Sequence, residues 1–192
     1  MEYALGSSRF RIMNDLKESI RTVPNFPIDG IQFRDITSLI ENPEAFNKSL
    51  IELTAYCMMA KATKIIGIES RGFVFGAPIA RDMEVPLIMA RKPGKLPNET
   101  YSKSFNLEYG STSLEIQKNT DFDGTDNVVI VDDLIATGGT ALACADLIHE
   151  HWNVAKDNIT ILAVIDLPDL GGSSVIRDNG YDVHTIVEFE GE

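Results

Sequence analysis

The densest group of chemistry-bearing residues lies at positions 128 to 140. A Val/Ile run, Val128 to Val131, leads into two carboxylates, Asp132 and Asp133, and then into Ala136, Thr137, Gly138, Gly139 and Thr140. Adjacent glycines allow a tight turn with exposed amide N–H groups, and the threonines add hydroxyl donors where a helix begins. That combination is a phosphate cradle, supported by the positive end of the helix dipole. The dipole contributes only ~0.3 to 1 kcal/mol at an exposed helix end, so convergent donors must do most of the binding. Two aspartates would repel a phosphate placed beside them. Their oxygens suit sugar hydroxyls or a hydrated divalent cation instead. Phosphate on one side and hydroxyls on the other describe a ribose 5-phosphate. The spacing excludes two familiar alternatives, the dinucleotide G-x-G-x-x-G and the Walker G-x-x-x-x-G-K-[ST].

Two further groups have the opposite charge. Arg71 follows Glu69 and Ser70 directly after the apolar run Ile65 to Ile68, where an anion-binding loop is expected. Arg91, Lys92 and Lys95 form the densest basic cluster of an acidic chain, with no acid until Glu99. Local positive charge of that density suits a multiply charged anionic substrate. A surface salt bridge for Arg71 and a solvated loop for the lysines are the alternatives these residues leave open.

The elements that must carry these groups are legible from periodicity. Met13, Leu16 and Ile20 fall at helical spacing, interrupted by Pro24 and Pro27. Asn42 and Pro43 predict a capped helix start, with Phe46, Leu50, Leu53 and Cys57 on one face. Short apolar runs then recur at Ile65 to Ile68, Val85 to Met89, Val128 to Val131, Ile159 to Ile165 and Tyr181 to Val187. The segments Gly76 to Met83 and Thr140 to His151 between them read as helices. This alternation predicts an α/β fold, a doubly wound, mostly parallel sheet flanked by helices. Ligands of such sheets bind beyond the carboxyl ends of the strands, where the acid pair and Arg71 fall. Lys92 to Gly110 breaks the pattern with Pro93, Gly94, Pro97 and Asn98 and no apolar period, and is expected to be a functional loop.

Composition bounds the rest. A chain of 192 residues suits one domain with one core. The net charge of -12 argues against nucleic acid and anionic membranes as partners. No run approaches the ~18 apolar residues of a membrane span, and Met1 to Arg11 lacks a signal-peptide segment. Cys57 and Cys144 are expected to be buried free thiols, which fits a reducing cytoplasm. His149, His151 and His184 do not form a metal-binding spacing.

Residues 128 to 141 resemble the phosphoribosyl-pyrophosphate signature of the type I phosphoribosyltransferases. Four more blocks resemble the adenine-using branch of that family. They are Phe26 and Pro27 with Gly30 and Phe33 to Thr37; Gly67 to Phe73 with Phe75 and Gly76; Arg91 to Pro97; and Leu107 to Gly110 with Leu114 and Glu115. Ile28, Asp29, Gln32 and Asn98 depart from the family's more usual residues.

The resemblance implies a single phosphoribosyltransferase domain over residues 1–192, with a base-binding segment over 1–40 and a flexible catalytic hood over 92–112. It implies transfer of the 5-phosphoribosyl group from 5-phosphoribosyl 1-pyrophosphate to adenine, giving AMP and pyrophosphate. In that scheme Ala136, Thr137, Gly138, Gly139 and Thr140 hold the 5-phosphate, and Asp132 and Asp133 the ribose hydroxyls. Glu69, Ser70 and Arg71, with a non-proline cis peptide between Glu69 and Ser70, join Arg91, Lys92 and Lys95 at the pyrophosphate. Gln32, Phe33 and Arg34 take the base. Glu108 accepts its proton, and Tyr109 lies beside it in the hood. Mg²⁺ is implied, carried by pyrophosphate and ribose oxygens with no protein ligand, and so is a homodimer. The competing readings are transfer to hypoxanthine, guanine or xanthine, and a non-catalytic sensor of the phosphoribosyl donor.

Overall fold

Val/Ile runs too apolar to leave either face in water need helices on both sides, and that requirement is what the chain satisfies. The computed structural model describes residues 13–107 and 110–191, apart from the side chains of 106, 107, 110 and 111. A helix over 13–19 (α1) precedes a hairpin of β1 (Arg21–Pro24) and β2 (Gln32–Asp35). Two helices, α2 (Thr37–Glu41) and α3 (Pro43–Met59), lead to β3 (Lys64–Ile68), α4 (Gly72–Met83) and β4 (Leu87–Ala90). A second hairpin, β5 (Thr100–Leu107) and β6 (Gly110–Gln117), comes next. The chain ends with β7 (Val128–Ile135), α5 (Gly139–Trp152), β8 (Ile159–Asp166), α6 (Gly172–Asp178) and β9 (Asp182–Glu188).

One five-stranded sheet has the order β4-β3-β7-β8-β9, with every pairing parallel. Its winding direction reverses between β3 and β7, which makes their carboxyl ends the crevice where a ligand fits. Alternation along β7 divides the core. Val129 and Val131 pack with Leu53, Cys57, Phe75 and Ile79 of α3 and α4. Val128 and Ile130 pack with Cys144, Leu147 and Ile148 of α5. Each such buried aliphatic side chain contributes about 1.5–3 kcal/mol relative to exposure.

The start of α3 follows the expected chemistry. Asn42 accepts hydrogen bonds from the backbone N–H groups of Glu44 and Ala45, and Pro43 occupies the first helical position, where no donor is needed. Both cysteines are buried and free. Burial pushes the Cys57 thiol up to about 12.

Two differences from the sequence reading bear on the site. The strand β7 does not stop at Val131: Leu134 and Ile135 continue the ladder against Ile165 and Asp166, so Asp132 and Asp133 lie within the strand. The stretch from 92 to 110 is also not irregular throughout. From Thr100 it forms an antiparallel hairpin in which Tyr101 pairs with Ile116 and Lys103 with Leu114. Its period-2 pattern, Tyr101, Lys103, Phe105, carries too few apolar residues to register as a strand, because half the packing surface comes from β6 and α5. Tyr101 stacks on His151 with ring centroids 3.9 Å apart, and Lys103 Nζ lies 2.5 Å from Glu150 Oε1. In the N-terminal segment, α1 follows the helical spacing of Met13 and Leu16, and β1 and β2 come after it.

Candidate active site

The loop after β3 can lie flat on β7 because Gly72 has no side chain. A Cβ there would sit 2.4 Å from the Val131 carbonyl oxygen, far inside contact distance. The Glu69–Ser70 peptide is cis, and α4 begins immediately after Arg71. This approach brings Arg71 Nε to 2.9 Å from Asp133 Oδ2. The carboxylate is buried, while the guanidinium is half-exposed towards the crevice.

Successive strand residues face opposite sides of a sheet, so the two aspartates do different work. Asp133 faces Arg71. Asp132 accepts a hydrogen bond from the Asp133 backbone N–H at 2.9 Å. Burial, and then the charge of Asp132, push the Cys144 thiol on α5 up. Burial, and then the neighbouring Asp133 carboxylate, push Asp132 well above the ordinary aspartate range. A ligand that brings hydroxyl donors or a cation to Asp132 relieves this cost.

Beyond β7 the chain turns through Gly138, at φ 77°, which is also the N-cap of α5. A glycine offers no side-chain acceptor to the first-turn amides, so these remain available to a phosphate. A hollow of ≈ 120 Å³ is bounded by this turn. It shares Asp132, Leu134 and Thr140 with a larger cleft of ≈ 420 Å³. Ser70 and Arg71 line one side of the larger cleft, Asp132 and Asp133 the other, and Lys92 and Phe105 complete it.

The basic cluster is differently deployed than its density suggests. Arg91 is engaged by Glu69 through two contacts, Nη2 to Oε1 at 2.9 Å and Nε to Oε2 at 3.3 Å. Glu69 also accepts from the Lys92 backbone N–H. These bonds, led by the Arg91 guanidinium, hold the Glu69 carboxyl below its ordinary range. Lys92 lines the cleft, whereas Lys95 is exposed outside it and lends its carbonyl oxygen to Arg91 Nη1.

Gln32, Phe33 and Arg34 lie on β2 and do not line that cleft. Phe33 meets Phe26 edge to face at 5.0 Å, and Arg34 lies over the ring of Phe189, just past β9, at 4.6 Å. The N-terminal segment is thereby fastened at the carboxyl end of the sheet. Glu108 and Tyr109 lie outside the described residues. His149 bonds the Val154 carbonyl, His151 stacks on Tyr101, and His184 pairs with Asp182. Among the described residues no group of His, Cys, Asp or Glu is placed to cage a metal ion. Among them, too, no helix is long and apolar enough to cross a membrane.

The sequence reading missed Phe105, Thr112 and Ser113 as cleft-lining residues. Gly72 belongs to the Gly67 to Phe73 block, and its close approach to Val131 has no signal in the sequence. The hairpin residues carry no signal of their own, since their position depends on a partner strand.

Known proteins share this fold. Residues 37–170 match the phosphoribosyl transferase domain, and the chain belongs to that family of phosphoribosyltransferases. Its similarities within the family point one way. The adenine phosphoribosyltransferase of Actinobacillus succinogenes is 49% identical over 177 residues, covering 92% of this chain and 96% of the relative. The crystal structure of adenine phosphoribosyltransferase from Thermoanaerobacter pseudethanolicus superimposes with a TM-score of 0.83 at 40% identity, covering 92% of this chain and 99% of that one. The Saccharomyces cerevisiae enzyme, complexed with an imino-altritol bisphosphate and adenine, gives 0.81 at 36% identity, covering 92% and 98%.

Proposed function

We propose that this chain transfers the 5-phosphoribosyl group from 5-phosphoribosyl 1-pyrophosphate to adenine, giving AMP and pyrophosphate. The observation that carries the reading is the cleft itself. An anion-directed arginine loop, an acid pair and a glycine turn at a helix N-terminus converge at the reversal point of the sheet. Relatives of high identity that share the fold are adenine phosphoribosyltransferases.

In the reaction the bond from ribose C1′ to pyrophosphate oxygen breaks, the bond from C1′ to adenine N9 forms, and N9 loses a proton. The amides and hydroxyls of Ala136 to Thr140 hold the 5-phosphate at the far end of the ribose. Asp132 and Asp133 accept hydrogen bonds from the ribose hydroxyls and fix the ring against the cleft floor. Arg71, Lys92 and the backbone of Glu69 and Ser70 receive the leaving pyrophosphate. Arg91 acts through Glu69, shaping the loop, and Lys95 adds long-range charge. Gln32, Phe33 and Arg34 present the base, and Glu108 accepts the N9 proton. The segment 92–112, including Tyr109, closes over the reactants as a flexible hood and excludes water from the activated ribose.

The acid pair fits magnesium that arrives with its substrate: two carboxylates are too few for a protein cage but suffice to hold ribose hydroxyls. Mg²⁺ bound by pyrophosphate and ribose oxygens would neutralise charge on the leaving group. One domain over 1–192, a homodimer and a cytoplasmic location complete the proposal. The buried free thiols support a reducing compartment.

The test is pyrophosphate release in the presence of Mg²⁺ with each purine base offered separately. Adenine should support turnover. Turnover with hypoxanthine, guanine or xanthine alone would replace the reading with a different base preference.

A further inference from the structure

We infer that Gly172, held in place by the buried Asp166–Ser173 pair, is a positioning residue for the turn Ala136 to Gly138; the inference rests on that turn's being the 5-phosphate site.

The physical case begins with distance. A Cβ built on Gly172 would lie 2.3 Å from the Ala136 carbonyl oxygen, 2.6 Å from the Gly138 nitrogen and 2.8 Å from the Thr137 carbonyl carbon. All three are backbone atoms, which cannot swing aside as a side chain can. The approach is mutual, since a Cβ on Gly138 would lie 2.7 Å from the Gly172 carbonyl oxygen. The Gly172 N–H also donates to the Ala136 carbonyl at 3.1 Å. The phosphate turn therefore rests directly on the backbone that starts α6, with no side chain between them.

A buried contact fixes that backbone in turn. Ser173 Oγ donates to Asp166 Oδ2 at 2.7 Å, and both residues are buried. Asp166 is the last residue of β8 and pairs in register with Ile135, immediately before the turn. The next residue, Leu167, donates its N–H to the Ile135 carbonyl at 3.0 Å. The chain from Ile135 to Gly138 is thus held at one end by β8 and on one side by Gly172, both reached from Asp166. Among the described residues, the other oxygen, Asp166 Oδ1, is buried and has no hydrogen-bond partner.

Gly171 and Gly172 serve different ends. Gly171 has φ 73° and nothing within 4 Å of a built Cβ, so it is required by its backbone angle. Gly172 has no such angle and is required by space.

The test separates the two anion sites. In Gly172→Ala, binding of ribose 5-phosphate and of pyrophosphate is measured separately by calorimetry, together with turnover. Relieving a 2.3 Å contact requires a displacement of about 1 Å, and misplacement of that size costs on the order of 10²-fold in kcat/KM for the phosphoribosyl donor. Ribose 5-phosphate affinity should fall in step, while pyrophosphate affinity, which depends on the separate 69–71 loop, stays at the wild-type value. Val175→Ala, on the exposed face of α6, should leave ribose 5-phosphate affinity unchanged. If Gly172→Ala does not fold, Ser173→Ala carries the test and should show the same selective loss, of smaller size. Unchanged ribose 5-phosphate affinity, or equal weakening of both anions, in a folded variant would overturn the inference alone. A wild-type chain that binds no ribose 5-phosphate would overturn the functional reading and this inference with it.

Discussion

Arg71 Nε stands 2.9 Å from Asp133 Oδ2, joining the loop after β3 to the acid pair of β7 across the crevice of the sheet. The pair holds the two halves of the site together before any substrate enters. It also sets up a competition, because the guanidinium proposed to receive pyrophosphate is engaged by the carboxylate proposed to hold ribose. Substrate must recruit Arg71 away from Asp133 or share it.

Asp133→Asn tests that competition. Loss of a charge-assisted acceptor for a ribose hydroxyl is worth about 1.5–3 kcal/mol, so kcat/KM for the phosphoribosyl donor should fall by about 10- to 10²-fold. Arg71, released from its partner, should bind free pyrophosphate more tightly than in the wild type. Inhibition by pyrophosphate measures the second effect. Unchanged inhibition would show that the Arg71–Asp133 contact does not compete with the anion.

Asp132 gives a pH dependence with a definite sign. Its folded-state pKa is raised, chiefly by burial, above the reference value of 3.8. Its charged form is therefore destabilising at neutral pH, and that cost disappears as pH falls through the raised pKa towards 3.8. Asp132→Asn should raise Tm at neutral pH, with the gain vanishing in acid. Affinity for the magnesium complex of the donor should instead rise with pH through the same range in the wild type, and lose this dependence in the variant. Thermal unfolding and calorimetry across pH check the two halves.

Gly72→Ala should damage both stability and site. The added Cβ would stand 2.4 Å from the Val131 carbonyl, so α4 must move off β7. Overpacking of this kind costs about 1–3 kcal/mol, and Tm shifts by about 2–4 °C per kcal/mol at this chain size. Arg71 moves with α4, so turnover should fall by more than the stability loss accounts for at assay temperature.

The hairpin is anchored at its base. Tyr101 stacks on His151 at 3.9 Å and meets Trp152 edge-on at 5.1 Å. Tyr101→Ala removes aromatic contacts worth about 0.5–1.5 kcal/mol beyond their buried area. If the hairpin serves as the proposed hood, hydrolysis of the donor in the absence of adenine should rise relative to transfer once its base is loosened. A phosphate-release assay without base measures this.

How legible these features were depended on how local their causes are. The inner strands β3, β7 and β8 were visible because they are buried on both faces and read as apolar runs, and the edge strands β4 and β9 because their apolar residues lie between turn-forming ones. The cap of α3 was visible because Asn42 and Pro43 act within one turn. The glycine turn and acid pair were visible because the ligand chemistry sits in consecutive residues. The hairpin at 100–117 was not, since its pattern has meaning only against α5 and its own partner strand. The engagement of Arg91 by Glu69 was not, because 22 positions separate them and only the β3–β4 pairing brings them together. Gly172 was invisible for the same reason: its neighbour is the turn at Ala136 to Gly138, reached through β8.

The most direct test is to follow conversion of labelled adenine and 5-phosphoribosyl 1-pyrophosphate in the presence of Mg²⁺, quantifying AMP and pyrophosphate together. The wild-type chain should form them in equal amounts, and the double variant Asp132→Asn/Asp133→Asn should form neither at a comparable rate. Absence of AMP with the wild type, or undiminished AMP formation by the double variant, would contradict the assignment of this cleft.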